Sequence, residues 1–120
     1  MLNKSARLTS PNDFARTTKS GLRVTTDHFV GYLYLQSESS ATSARLGLVI
    51  GKRFGNSIAR HRLARQIRHA IAIEKFPTNG MIVIRALATS TPAHQIDVIA
   101  EIAQMSEKLI ARAEKLAVTQ

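Results

Sequence analysis

The chain has 120 residues, 17 Lys and Arg against 8 Asp and Glu, a formal net charge of +9, and no cysteine. That length builds one hydrophobic core rather than two, and the lack of cysteine excludes a disulfide frame and thiolate chemistry, as suits a reducing cytoplasm. No apolar run nears the ~18 residues of a membrane span and no signal-peptide core opens the chain, so no membrane partner is expected; the cation excess points to nucleic acid.

Residues 1–9 read as basic and irregular. Ser10-Pro11-Asn12-Asp13 is a helix start: Ser10 as N-cap, Pro11 at the first helical position, Asp13 in the first turn. This short helix ends near Ser20, with Gly21 offering a left-handed stop, and Phe14 and Thr18 share one of its faces. Leu22 to Thr26 forms a brief strand. His28 to Gln36 forms a stronger one, apolar or aromatic on both faces, which predicts a central strand covered on both sides. Ser37 to Ser43 is a polar loop.

The next stretch dominates the chain. A strand over 45–50, closed by Gly51, leads through Lys52, Arg53 and Gly55 into a basic helix that Asn56 or Ser57 can cap. At about 100° per residue, Ala59, Leu63, Ile67 and Ala70 fall on one arc, with Ile71 beside it. His61, Arg62, Arg65, Arg68 and His69 fall opposite, and Arg60 stands at the seam. Residues 39–75 hold eight Lys/Arg against one acid, so this face lacks the mixed signs of an ordinary solvated helix. A polyanion is the partner such a surface suits.

Phe76-Pro77 ends the helix, Asn79-Gly80 turns the chain, and Met81 to Ala86 is an apolar strand broken only by Arg85. Thr91-Pro92 signals a last helix over 93–117, striped by Ile96, Ile99, Ile102, Ala103, Leu109, Ala113 and Leu116. The economical assembly is α+β: an α-β sandwich with a central mixed four-stranded sheet, about three helices, and a β-α-β unit around the basic helix. General rules make that crossover right-handed.

Catalysis by the chain itself finds little support. Asp97 and Glu101 are four apart, but no histidine or base is placed to work with them. His61 and His69 lie within about 80° of each other, yet arginines surround both and favour neutral rings. No cysteine or histidine spacing suits zinc, and Gly55 is followed by Asn56-Ser57 rather than the Lys-Ser/Thr of a phosphate loop. No catalytic or metal-binding residue is therefore expected. An extended cationic strip without a helix-turn-helix neighbour suits shaped RNA better than DNA. Phe14, Tyr32 and Tyr34 are either core residues or a platform for an unpaired strand. A ribosomal or other structural RNA-binding protein fits the charge equally well.

The run Lys52-Arg53-Phe54-Gly55-Asn56-Ser57-Ile58-Ala59-Arg60-His61-Arg62-Leu63-Ala64-Arg65-Gln66-Ile67-Arg68 resembles the signature of the bacterial ribonuclease P protein subunit. Arg7-Leu8, Asp13-Phe14, Gly21 and the Phe29-Val30-x-Tyr32 strand extend the likeness over nearly the whole chain. His61 replaces the family's middle Asn, Ala64 its usual Lys, and Thr18 an aromatic. The resemblance implies one protein per RNA, monomeric when free. It implies binding to a catalytic RNA subunit that, with Mg2+ held mainly by the RNA, removes the 5′ leader of precursor tRNA in the cytoplasm. Lys52, Arg53, Asn56, Arg60, His61, Arg62, Arg65 and Arg68 would then meet the RNA subunit; Phe14, Thr18 and Tyr32 would line a leader cleft. It also implies a left-handed β-α-β crossover, against the general rule.

Overall fold

The computed structural model describes residues 7–36, 44–87 and 95–119. The start of the basic N-terminal stretch, the 37–43 loop and the Thr91-Pro92 helix signal lie outside the described residues.

Helix α1 spans Pro11–Ser20, and the side chain of Ser10 accepts from the Asp13 N–H as expected. Gly21 differs from expectation. Its φ of −80° and ψ of 168° are extended, not left-handed, and it leads directly into strand β1, Leu22–Thr25. Close approach is what requires glycine here: a Cβ at Gly21 would meet the carbonyl oxygens of Thr17 and Leu33. Strand β2, Phe29–Leu35, is followed by β3, Arg45–Val49, helix α2, Ser57–Ile73, strand β4, Gly80–Ala86, and helix α3, Val98–Thr119.

The strands form one mixed sheet in the order β1-β2-β4-β3. β1 and β2 pair antiparallel, as do β2 and β4, whereas β3 and β4 run parallel with α2 between them in sequence, as the β-α-β reading anticipates. Strand alternation sends Phe29, Leu33, Ile82 and Ile84 to one face, where they are buried with Leu63, Ile67 and Ile71 of α2 and Ile102, Met105 and Leu109 of α3. Each such side chain stabilises the fold by about 1.5–3 kcal/mol through burial. Val30, Tyr32, Met81 and Val83 take the other face with Leu8, and Phe14 of α1 packs against them. The expected two-sided burial of β2 is thus present: its first five residues are all buried.

α3 starts later than the 93–117 reading. The carboxylate of Asp97 accepts from the Ala100 N–H and caps the helix at Val98. The buried stripe is correspondingly Val98, Ile102, Met105, Ser106, Leu109 and Ala113, while Ile99 and Leu116 are exposed. Val98, one position before Ile99, takes the inward place that the sequence reading gave to Ile99. Ser106 is tolerated inside because its hydroxyl donates to the Ile102 carbonyl at 2.7 Å.

Candidate nucleic-acid interface

α2 is set by its cap and its inward stripe. Asn56 Oδ1 accepts from the Ala59 N–H at 2.9 Å, so this predicted site residue starts the helix. Leu63, Ala64, Ile67, Ala70 and Ile71 are buried, which leaves His61, Arg62, Arg65 and His69 exposed and Arg60 and Arg68 half-buried at the margins. Among the described residues, none of these four arginines makes an ion pair or a side-chain hydrogen bond. The charge stands free.

The structure divides the predicted cations. His61, Arg65, Arg68 and His69 line a concavity of about 500 Å³ together with Arg7, which composition alone did not single out. Arg7 reaches this place because the N-terminal segment pairs with the free edge of β3: the Leu8 N–H donates to the Leu46 carbonyl at 2.9 Å, and Leu8 is buried. The signal was a cation directly before an apolar residue, in a stretch read as irregular.

Lys52 and Arg53 belong elsewhere. They sit on a single 3-10 turn, Lys52–Phe54, and line a separate hollow of about 330 Å³ with Val49, Phe54, Arg85 and Leu87. Register places Arg85 opposite Val30 and Val49, one side-chain row from the Tyr32–Val83–Gly47 row. This hollow therefore continues the sheet face that α1 covers. Arg62 and Asn56 line neither cavity.

On that same face the outer edge of the Phe14 ring stands against Gly47, where any Cβ would strike it. Tyr32 is only 9% exposed, packed in the cluster that Phe14 joins. Thr18 is exposed one turn further on, its hydroxyl donating to the Phe14 carbonyl at 3.0 Å; Thr17, not Thr18, is the buried threonine of α1. Arg45 braces this arrangement from β3, 3.7 Å from the Asp13 carboxylate.

One histidine–carboxylate pair corrects the sequence reading, which gave Glu101 no partner. His28 Nδ1 stands 2.7 Å from Glu101 Oε1, while the His28 N–H and the Thr26 hydroxyl donate to Oε2. The two residues are 73 positions apart, so spacing within the helix carried no trace of the contact. Burial alone would raise the Glu101 carboxyl, but the hydrogen bonds from Thr26 and His28 and the attraction to His28 outweigh it and lower its pKa. A depressed folded pKa gives stability that is full above the unfolded value, near 4.5, and is lost as pH falls through the folded value. Thermal melts between pH 7 and pH 3 should show Glu101→Gln flattening that acid-side loss; an unchanged acid limb would mean the contact contributes nothing.

Residues 2–113 match the family model described as Ribonuclease P. The ribonuclease P protein component of Corynebacterium diphtheriae is 30% identical over 115 residues, 91% of this chain and 97% of that protein. Its counterpart from Mycobacterium avium is 37% identical over 97 residues, 78% of this chain and 82% of that one. Among solved structures, the RNase P protein of Staphylococcus aureus superposes with a TM-score of 0.68 at 26% identity, covering 93% of this chain and 97% of that one. The RNase P protein from Thermotoga maritima gives 0.68 at 22% identity, with 88% and 96% covered, a likeness of fold.

Proposed function

The chain belongs to the ribonuclease P protein family, and from that premise we propose how its two charged surfaces divide the work. It is the protein component of a ribonucleoprotein whose family role is processing tRNA 5′ ends. The concavity of Arg7, His61, Arg65, Arg68 and His69 takes phosphates of the RNA subunit. The opposite side, from Phe14 and Tyr32 to Lys52, Arg53 and Arg85, takes the precursor leader, with Thr18 at its outer margin. The observation that carries this reading is the set of α2 arginines without an acidic partner among the described residues. Free guanidinium groups facing a concavity bind phosphate at little cost in broken contacts.

Lys52 and Arg53 are assigned here to the leader rather than to the RNA subunit, because they share their hollow with Arg85 and not with α2. A half-buried aromatic beside three cations suits an unpaired strand, the ring stacking and the cations holding phosphates. Among the described residues no three carboxylate or imidazole groups converge on a metal-sized site. We assign the Mg2+ to the RNA subunit and route no step through it in this chain. Among the same residues, no helix is long and apolar enough to cross a membrane.

The direct test adds the purified protein to a bacterial ribonuclease P RNA at low Mg2+ and measures precursor cleavage. Rescue is expected. Cleavage with no RNA present would instead make the protein a nuclease in its own right, and tight binding without rescue would favour a structural RNA-binding role. Phe14→Ala should lower affinity for precursor about tenfold, the worth of one stacked base, and leave mature tRNA binding unchanged. Equal losses for both ligands would return Phe14 to a purely structural role. Tyr32→Ala is a poorer probe, since emptying a 9%-exposed site costs folding stability first.

A further inference from the structure

Between β3 and α2 lies an open groove of about 290 Å³ that shares His61 and Arg68 with the Arg7 concavity. Leu48 and Ile50 of the sheet edge and Ala64 of the helix make that floor apolar; Arg60, His61 and Arg68 stand around it. Two further observations bear on what it holds. The Nε of Arg60 is buried and has no hydrogen-bond partner, the single buried side-chain nitrogen or oxygen left so among the described residues. An orphaned donor of this kind is stabilised by any acceptor that reaches it. The second is main-chain. The Leu46 carbonyl points away from β4, since it accepts from Leu8, and strand alternation turns the N–H and C=O of Leu48 the same way. β3 is an edge strand, so those groups face outward beside the groove.

We propose that this groove receives one unpaired nucleobase of the RNA subunit. The inference rests on the assignment of α2 to that subunit and adds a contact of another kind. The base lies against Leu48, Ile50 and Ala64; Arg60 turns its guanidinium toward a carbonyl on the base edge, and the Leu48 main chain offers a donor and an acceptor. Arg68 and His61 meet the flanking phosphate. Apolar side chains, edge-strand main-chain groups and an unpartnered guanidinium nitrogen in one groove match the face and edge of an extruded base.

The test fills the groove without changing charge. Ala64→Leu should weaken RNA-subunit binding about tenfold while the slope of log K against log salt stays at its wild-type value, since no cation is lost. Chemical probing should show one unpaired nucleotide of the RNA subunit protected by wild-type protein and reactive again with Ala64→Leu, yet still protected with Lys108→Ala. Arg60→Lys keeps the charge and removes Nε; it should give the same loss of protection, and it decides the matter if Ala64→Leu melts early. Wild-type affinity and an intact footprint in both variants would overturn the proposal, as would protection appearing on the precursor leader instead. Failure of wild-type protein to bind the RNA subunit at all would overturn the wider reading, a separate outcome.

Discussion

Alanine at Arg7, Arg65 and Arg68 together is expected to weaken RNA-subunit binding on the order of 100-fold near physiological salt, at about 1 kcal/mol for each exposed cation–phosphate contact. The same triple change should reduce the magnitude of the log K–log salt slope by about 2–3, because each phosphate contact releases roughly 0.7–0.9 of a counterion. All three line one concavity, and none has an acidic partner among the described residues, so their removal leaves no orphaned carboxylate there to confuse the result. Lys108→Ala, an exposed cation on α3, is the control and should leave the slope unchanged. A triple variant with the wild-type slope would mean that α2 does not face the RNA. Arg7 is the informative member. If Arg65→Ala/Arg68→Ala already gives the full change, the N-terminal segment lies outside the interface.

How far the residues foretold this arrangement depended on whether the signal was local. The caps were legible because a cap is a three-residue event: Ser10 and Asn56 each accept from the N–H three positions on. The two-faced burial of β2 followed from apolar residues on both alternations, and the free face of α2 from its missing acids. Contacts across the sheet were not legible. Nothing within α3 marks Glu101 as the partner of His28, and nothing within β4 marks Arg85 as the neighbour of Lys52 and Arg53. The family resemblance groups Lys52 and Arg53 with the helix; the 3-10 turn between β3 and α2 places them in the other cavity. Tyr32 shows the limit from another side. An aromatic in an apolar strand reads equally well as core or as platform, and its 9% exposure reflects the cluster that Phe14 of α1 joins from outside the sheet.

Gly21→Ala is expected to destabilise the protein by about 3 kcal/mol, the upper range for forcing an added methyl into a packed site. For a chain of this size that lowers Tm by roughly 10–15 °C. The reason is geometric. The new Cβ would meet two main-chain oxygens, those of Thr17 and Leu33, and neither can swing aside as a side chain can. The Gly21 N–H is also bonded to the Thr17 carbonyl at 3.0 Å, so relief by sliding α1 away would break the bond that ends the helix. Ser20→Ala, one residue earlier and exposed, should change Tm by little and serves as the comparison. If α1 forms one wall of the proposed leader side while α2 carries the other surface, Gly21→Ala assayed well below its Tm should lose precursor discrimination yet keep the wild-type salt slope for the RNA subunit. A Tm within 3 °C of wild type would show that the α1–β2 junction has room the packing does not suggest; a lowered salt slope would show that the two surfaces are not mechanically separate.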